Sequence, residues 1–387
     1  MQQYTHIIAI LGIASCAFGA DYDVPGDYPT IQDAIDAADN LDRIFVAPGT
    51  WTGTGTSVID FRGKQLSVRA TGSVSETILD GGDARQCVLL VSGENASTYL
   101  QGFTITRGHG EIGGGILIQD SSPTILDCMI RSNVADTHGG GIAVFGGAAS
   151  IRDCVVHGNS ADDWGGGLFL SGGSTLIENT TISSNTAVCG AGAFSLETVE
   201  LIWRSCSFLS NNASKSKGLG GGVFHLNHPN PEAECNFEDC IISNNTAVLG
   251  GGVGMEIGTL NFYNCEITNN TATANGGGFA LSISAASAWN TLICGNTPNQ
   301  FSYGSGSFTF HTFDFIGPDC PSSQGACCSL GCAMTTMSDC TDLGGVWLGA
   351  AGSCDDCPPA CSADTNSDGT VNIDDLLNLM SAWGPCP

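Results

Sequence analysis

Basic residues are scarce in this sequence: 11 lysine and arginine residues face 38 aspartate and glutamate residues, and the formal net charge is −27. Nucleic acids and anionic membranes attract basic protein surfaces, so this scarcity argues against both as partners. An acidic polysaccharide would also be repelled unless a cation bridged it to the protein. After residue 20 no apolar run reaches the ~18 residues of a membrane-spanning helix, so no such span is predicted.

Glycine is the residue that the chain has in excess, with 54 copies. Gly is the costliest residue to order, so its repeated use indicates backbone positions that only Gly can occupy. Triplets of the form GGG, or GAG in one case, begin at Gly113, Gly139, Gly165, Gly190, Gly220, Gly250 and Gly276. Their recurrence indicates an internal repeat.

A short apolar segment follows each glycine cluster, with Cys or Thr as its fourth residue and Asn as its last. The fourth positions are Cys128, Cys154, Thr180, Cys206, Cys240, Cys265 and Thr291, which lie 26, 26, 26, 34, 25 and 26 residues apart. The last positions are Asn133, Asn159, Asn185, Asn211, Asn245, Asn270 and Asn296. A nearly constant period of this length is typical of a solenoid, in which each repeat forms one coil.

Two kinds of solenoid fit the period. The pattern I-x-x-C-x-I-x-x-N is close to that of leucine-rich repeats, which return through a helix or a similar segment. Here the return contains a glycine cluster and alternating residues such as GILIQ and GIAVF. Glycine opposes helix and alternation at period two indicates strand, so the sequence predicts an all-β, right-handed parallel β-helix. The calcium-binding G-G-x-G-x-D roll is excluded because its pattern is absent.

When coils stack, equivalent residues of successive coils lie about 4.8 Å apart and form a row along the axis, called a ladder. The Cys and Thr positions are expected to form an internal ladder of small side chains, with the cysteines mostly as buried free thiols. The Asn positions are expected to form a ladder of amides that bond along the axis, at a tight turn whose left-handed conformation Asn tolerates. The glycine clusters would form another corner, where φ is positive or coils approach closely.

The N-terminal region 24–51 resembles the opening of the pectate lyase and pectin methylesterase superfamily. In it, Ile31, Ala34, Ile35 and Ala38 share one face of a short helix, which would cap the open end of the first coil that starts at Phe45 and Val46. The repeats also resemble those of polymorphic outer-membrane proteins, which combine GGA[IL] with FxxN. The two resemblances cover about residues 24–316 and imply the β-helix fold.

The two ends of the chain suggest further segments. Residues 1–20 have the apolar run and small residues of a secretory signal peptide, although Ile13–Cys16 also fits a lipobox that would leave Cys16 lipidated. The β-helix is assigned to residues 21–318. Residues 319–360 are rich in cysteine and are interpreted as a disulfide-stapled module, with a zinc site as the alternative.

The C-terminal segment 361–387 contains the sharpest motif, DTNSDGTVNIDD. Its spacing matches a calcium loop, with oxygen ligands from Asp364, Asn366, Asp368, Thr370, Asn372 and Asp375. The Asp at the last position, followed by LLNLMSAW, resembles a dockerin segment. Type I dockerins have two such segments and this chain has one, so the resemblance leaves docking to a protein partner open. Cys361 and Cys386 flank the unit and could clamp its ends.

Charged and aromatic residues in neighbouring coils are the candidates for a site. Stacking would place Asp127 beside Asp153 and Arg131 beside His157, an arrangement in which one carboxylate gains a raised pKa for acid–base catalysis. Trp164 could be a platform for a sugar ring. An outward aromatic stripe is also expected, from Phe145, Phe169, Phe194 and the following Phe224. The competing interpretation is a solvated face in which these residues cluster by chance.

Two functional hypotheses follow. The first is an exported or cell-surface protein that binds extracellular polysaccharide, with cleavage by a lyase or hydrolase reaction as its enzymatic form and a Ca²⁺-binding attachment module at its end. The second is a non-catalytic surface or adhesion scaffold, which fits the regular repeat and the small catalytic inventory.

Overall fold

The computed structural model describes residues 19–311 except 214–216 and 227–233, together with residues 315–317, 320, 325–328, 332–335 and 346–347. The chain divides into two compact units, Met1–Pro318 and Asp319–Pro387. In the second unit, the strands Gly325–Cys328, Cys332–Thr335 and Val346–Trp347 form an antiparallel sheet. Most of the predicted signal segment and lipobox, the calcium loop at 364–375, and Cys361 and Cys386 lie outside the described residues.

Three long parallel sheets form the first unit. The first sheet consists of Asp21–Val24, Arg43–Val46, Ser67–Ala70, Tyr99–Gln101, Thr124–Leu126, Ser150–Arg152, Ser174–Glu178, Glu200–Arg204, Glu234–Glu238, Gly258–Tyr263, Ser284–Trp289 and Ser307–Phe310. The second sheet consists of Gly49–Trp51, Thr77–Asp80, Thr104–Thr106, Met129–Arg131, Val155–His157, Thr181–Ser183, Ser207–Leu209, Ile241–Ser243, Glu266–Thr268, Leu292–Cys294 and Phe315–Gly317. The third sheet consists of Ser57–Asp60, Gln86–Leu90, Ile116–Gln119, Ile142–Phe145, Leu168–Ser171, Ala193–Leu196, Val223–Leu226, Val253–Met255, Phe279–Leu281 and Phe301–Tyr303.

Each coil runs from the first sheet through a turn into the second sheet, and then through a connecting segment into the third. The connecting segments themselves pair in two short parallel sheets, formed by His109–Ile112, Val134–His138 and Ser160–Ala161, and by Asn212–Ala213, Thr246–Leu249 and Thr271–Asn275. The returns are therefore strands rather than helices. This confirms the parallel β-helix and excludes the leucine-rich alternative.

The helix Ile31–Ala37 is the one helix among the described residues, and it lies at the N-terminal end as predicted. Thr30 begins it as N-cap, with its hydroxyl accepting a hydrogen bond from the Asp33 N–H. Lys64 donates from Nζ to the carbonyls of Ile35, Asp36 and Ala38 at its C-terminal end. A cation at that end complements the unsatisfied carbonyls and the helix dipole.

The interior of the solenoid is apolar and contains the predicted Cys and Thr ladder. All seven ladder residues are buried, and their cysteines are free thiols. The thiols donate to the carbonyl two residues earlier in the chain, as in the 3.0 Å bond from Cys154 Sγ to Arg152 O. Burial raises the pKa of Cys154 and of Cys240 above that of a free thiol. These two thiols therefore remain protonated, and all the ladder cysteines pack as small core side chains.

The Asn ladder is also confirmed, and it is fully internal. Asn185 shows the repeating pattern: its Nδ2 donates to Asn211 Oδ1 in the next coil and to the Val156 carbonyl in the previous one, each at 3.0 Å. Its Oδ1 accepts from the backbone N–H of Asn159 at 2.9 Å and from Asn159 Nδ2 at 3.1 Å. The side chain thus satisfies backbone groups at the turn while it links three coils.

The left-handed residue at this turn differs from the one expected. The ladder asparagines have negative φ, and the residue before each carries the positive φ, for example Ser184 at 55° and Asn244 at 58°. The reason is that the ladder side chain must point into the solenoid to bond along the axis. The conformation that reverses the chain is therefore adopted by its exposed or half-buried predecessor.

The glycine corner behaves as predicted. The first glycine of each cluster has positive φ, such as 68° at Gly139. The third glycine lies where coils meet: a Cβ on Gly141 would stand 2.6 Å from the carbonyl oxygen of Gly167 and 3.0 Å from Asn159 Nδ2. A side chain there would collide with the next coil, so glycine is required for stacking.

Candidate functional site

The two candidate catalytic aspartates occupy a turn that recurs in every repeat. Asp127 and Asp153 both have φ of 52°, and the same left-handed position in later coils holds Asn179, Ser205, Asp239, Asn264 and Asn290. Both carboxylates are exposed, and Asn179 Nδ2 donates to Asp153 Oδ1 at 3.2 Å. Because Asn, Asp and Ser tolerate this conformation, the turn alone accounts for the residue type.

Arg131 and His157 are neighbours in the second sheet, as the spacing predicted, and both are exposed. His157 Nδ1 lies 3.0 Å from Ser183 Oγ in the next coil. The two residues end their strands, whereas the aspartates precede those strands. Among the described residues no hydrogen bond or ion pair joins these two candidate pairs, so the four residues do not form one constellation.

Trp164 has no free ring face for a sugar. Its indole is sandwiched between His138, with centroids 4.6 Å apart, and Phe194, at 5.0 Å. Both stacks are nearly parallel, at 5° and 9°. A sugar platform needs an exposed face, so this expectation is not met.

The expected aromatic stripe is buried rather than exposed. Phe169, Phe194 and Phe224 point outward from the third sheet in register, but each is at most 4% exposed. The connecting segments fold over this face and cover the rings with Trp164, Cys189 and Leu219. Phe145 lies two residues further along its strand than Ala143, the residue in register with Phe169; it is half-buried, with its ring 5.2 Å from that of Phe169. We call the buried rings of 169, 194 and 224 the phenylalanine column.

A groove of about 450 Å³ lies on the first sheet near the N-terminal end, and it includes one of the four candidates, Asp127. Arg69 and Gln101 enter it in register from adjacent strands, and Phe45 and the 71–74 loop line its other sides. Arg69 is half-buried and donates from Nε to Ser67 Oγ at 2.7 Å. The groove therefore brings together a carboxylate, a guanidinium and an amide beside an aromatic ring.

Arg69 and Gln101 belong to a longer line of outward side chains on the first sheet, which we call the outer column. Beyond Gln101 it continues through Leu126, Arg152, Glu178, Arg204, Glu238, Tyr263 and Trp289. Arg204 Nε lies 2.8 Å from a Glu238 carboxylate oxygen and Arg204 Nη1 lies 3.6 Å from one of Glu178. The Tyr263 and Trp289 rings stack with centroids 4.6 Å apart. The column is thus nearly neutral in a strongly acidic protein.

The sequence contained the signal for part of this column. From Leu126 onward its members are the second residue of each repeated segment, directly before the turn residue and the Cys or Thr. The repeat period does not predict the early groove residues, because Phe45, Arg69 and Gln101 come before the first recognisable repeat.

In the described ranges, no group of three or more His, Cys, Asp or Glu side chains is arranged to hold a metal ion. No helix in those ranges is long and apolar enough to cross a membrane.

Residues 86–315 match the family model of the right-handed β-helix region. The chain belongs to the right-handed β-helix family. No curated protein matches it at a significant level.

Several solved structures resemble this β-helix protein at low identity. Pectin methylesterase from carrot is 10% identical with a TM-score of 0.31, covering 80% of this chain and 90% of its own. The mannuronan C-5 epimerase A-module of Azotobacter vinelandii is 12% identical with a TM-score of 0.34, covering 77% and 97%. A mannuronic acid-specific family 6 polysaccharide lyase from human gut microbiota is 12% identical with a TM-score of 0.29, covering 76% and 83%. These values are too low to transfer a site or an activity.

Proposed function

We propose that the protein binds a polysaccharide on the outer face of its first sheet, with the groove beside Asp127 as the main contact. The observation that carries the proposal is the convergence of Asp127, Arg69 and Gln101 in one groove of about 450 Å³. That volume lies within the range of sites for small ligands, enough for a short stretch of sugar units. Phe45 adds an apolar wall of the kind that packs against a sugar ring.

The three polar groups offer complementary hydrogen bonding. The Asp127 carboxylate accepts from hydroxyl groups, the Arg69 guanidinium donates to paired oxygens, and the Gln101 amide does both. Among the described residues, the Asp127 carboxylate has no hydrogen-bond partner, so its acceptors remain available to a ligand. Bonds to charged groups are the strong ones, which makes Asp127 and Arg69 the side chains expected to contribute most.

The shape of the surface favours a long ligand. The outer column runs from Arg69 to Trp289 in eight coil steps of about 4.8 Å, or about 38 Å in all. A linear chain lying along the axis would meet one side chain of the column per coil. Since Arg204 pairs with Glu178 and Glu238, the column presents little net charge to it. These features support a neutral polysaccharide rather than an acidic one.

The proposal has two forms: binding followed by cleavage of the glycan, and binding without cleavage. The geometry of the turn at Asp127 favours the second form. Asp127 takes the same left-handed conformation as Asp153, Asn179 and the later turn residues, so a structural role accounts for its position. Cleavage would need a second titratable group within reach of the groove, and Asp153 does not line it. In this version the protein is a surface or adhesion scaffold that holds the glycan.

Export and a calcium-dependent attachment function for residues 361–387 belong to the same proposal. They are supported by the leader-like segment 1–20 and by the loop 364–375 in the sequence. A secreted or cell-surface protein would meet both the glycan and free Ca²⁺. A protein partner for the C-terminal segment is likewise proposed from its dockerin-like motif.

The test is a glycan array, followed by calorimetry on the best ligand with matched variants. Asp127→Asn and Arg69→Gln should each weaken binding by about tenfold, because each removes a charge-assisted hydrogen bond. Asp153→Asn is the control: it makes the same change at the same turn position one coil on, outside the groove. Asn stands naturally at this turn in three later coils, so both Asp variants should keep their melting temperature.

Assays for reducing ends and for unsaturated products distinguish the two candidates. Turnover by the wild type that is lost in Asp127→Asn even at saturating glycan would establish cleavage. Binding without turnover would establish the scaffold. Equal affinity of the wild type and both groove variants for every bound glycan would refute the groove as the site.

A further inference from the structure

A second concave surface, which we call the hollow, lies on the outer face of the third sheet. The outward residues of this sheet form the phenylalanine column, in which the centroid spacing is 5.7 Å between Phe169 and Phe194 and 5.3 Å between Phe194 and Phe224. The connecting segments cover the column with a parallel row of apolar side chains, from Trp164 through Cys189 and Leu219 to Leu249. Phe194 is thus held between a ring on either side and beneath this row, whereas Phe224 has a ring of the column on one side only.

The phenylalanine column ends at Phe224, whereas the row of apolar side chains that covers it continues to Leu249. After Phe224 the next outward residues in register are Gly254, Ala280 and Ser302. A hollow of about 390 Å³ opens there, with Phe224 at one end, Gly254, Ala280 and Ser302 as its floor, and Leu219 and Leu249 above. A Cβ on Gly254 would stand 2.7 Å from Phe224 Cδ2, so glycine is what lets the last ring occupy its position.

We propose that this hollow binds a small planar aromatic molecule, neutral or cationic, whose ring extends the phenylalanine column. Phe224 closes one end of the hollow with 4% of its surface exposed, Leu219 and Leu249 form apolar walls, and the Tyr303 ring, 48% exposed, stands at the rim. A flat ring can pack against the edge of Phe224 and against the exposed Tyr303 ring. The volume is at the lower end of the range for small-ligand pockets.

The charge of the ligand follows from the rim and from the whole protein. Glu256, which is exposed, and the half-exposed Tyr303 are the rim groups that line the hollow. The described residues that line it include no Lys or Arg side chain. With a net charge of −27, the protein also repels anions at a distance. An ammonium group beside Glu256 would be favoured and a carboxylate would be disfavoured.

Three probes of similar size test the proposal on the full-length protein: 2-phenylethylamine, phenylacetate and 2-cyclohexylethylamine. Binding is followed by NMR on protein with labelled Leu methyl groups, since the side chains of Leu219 and Leu249 form the roof of the hollow. We expect 2-phenylethylamine to shift these methyl signals. The anion and the non-planar amine should each bind about tenfold more weakly, the first through repulsion and the second because it cannot stack.

Two variants locate the site. Ala280→Phe places a ring in the hollow and should abolish the shifts. Ala285→Phe adds the same ring five residues on, on the exposed face of the first sheet, and should leave the shifts unchanged. Glu256→Gln should reduce the preference for the cation over the anion while leaving the fold intact.

No shift with 2-phenylethylamine at millimolar concentration would overturn the proposal. So would unchanged binding in Ala280→Phe, or equal binding of the aromatic and cyclohexyl amines. If Ala280→Phe does not fold, the comparison of the three probes and the Glu256→Gln variant still decide it. None of these results depends on polysaccharide binding at the first sheet.

Discussion

Replacing one ladder asparagine should destabilise the β-helix far more than replacing an exposed asparagine in the same coil. Asn185 is fully buried, and its side chain takes part in four hydrogen bonds, two as donor and two as acceptor. In Asn185→Ala these are lost, and the backbone N–H and the Nδ2 group of Asn159 lose an acceptor inside the protein. At about 1 kcal/mol for each net bond, the loss is about 4 kcal/mol.

A loss of this size is a large part of the 5–15 kcal/mol that typically stabilises a domain. Asn179→Gly is the matched control, because Asn179 is exposed, has φ of 48°, and donates a single 3.2 Å bond to Asp153. Glycine adopts that φ without strain, so the control should lose less than about 1 kcal/mol.

Urea denaturation, followed by far-ultraviolet circular dichroism, measures both variants. The Asn185→Ala midpoint should fall steeply, or the protein should fail to fold, while the Asn179→Gly midpoint stays near that of the wild type. Because coils interact mainly with their neighbours, the loss could appear as a separate early transition of the surrounding coils. Equal midpoints for the two variants would refute the view that the internal amide ladder holds the coils together.

Two further predictions concern pH and calcium. His225 is buried beside Ser195, with Nδ1 2.7 Å from Oγ, and burial lowers its pKa to about 4. Since an unfolded His titrates near 6.5, the stability present above that pH should fall by about 3 kcal/mol as pH drops to about 4, as measured by urea midpoints. His225→Met, which copies Met255 one coil on, should remove this part of the slope; an unchanged slope would contradict the assignment. Calorimetry on the full chain should show uptake of one Ca²⁺ at the loop 364–375, which Asp368→Ala abolishes, and no uptake at millimolar Ca²⁺ would exclude the loop as a site.

The sequence predicted the coil because the coil is set by short-range constraints that recur. A period near 26 residues, the Asn that ends each segment and the glycine at the next corner all depend on backbone conformation within one repeat. The same constraints placed Asp127 next to Asp153 and Arg131 next to His157. Even the error about the left-handed residue is a shift of one position, from Asn185 to Ser184.

What the sequence could not predict is how one part of a coil covers another. Alternation shows that Phe169, Phe194 and Phe224 point away from the interior, but it does not show that the connecting segments fold back over them. Trp164 is part of that cover, so the residue proposed as an exposed platform is a half-buried partner of the stripe. The groove at Asp127 escaped prediction for a related reason, since Arg69, Gln101 and the 71–74 loop come from coils without the repeat motif.

The two proposed ligand sites lie where residues of one coil depart from the pattern of the repeat. Asp127 and Asp153 share residue type, backbone conformation and exposure, but Asp127 and not Asp153 lines the groove on the first sheet, because an irregular early coil supplies Arg69 and the 71–74 loop beside it. The phenylalanine column behaves in the same way: three coils repeat the ring, and a hollow opens where Gly254 replaces it. A ladder residue is explained by its neighbours along the axis, so its chemistry carries little information about a ligand. The break in a ladder leaves side chains and space that the stacking does not use, and both proposed sites lie at such breaks.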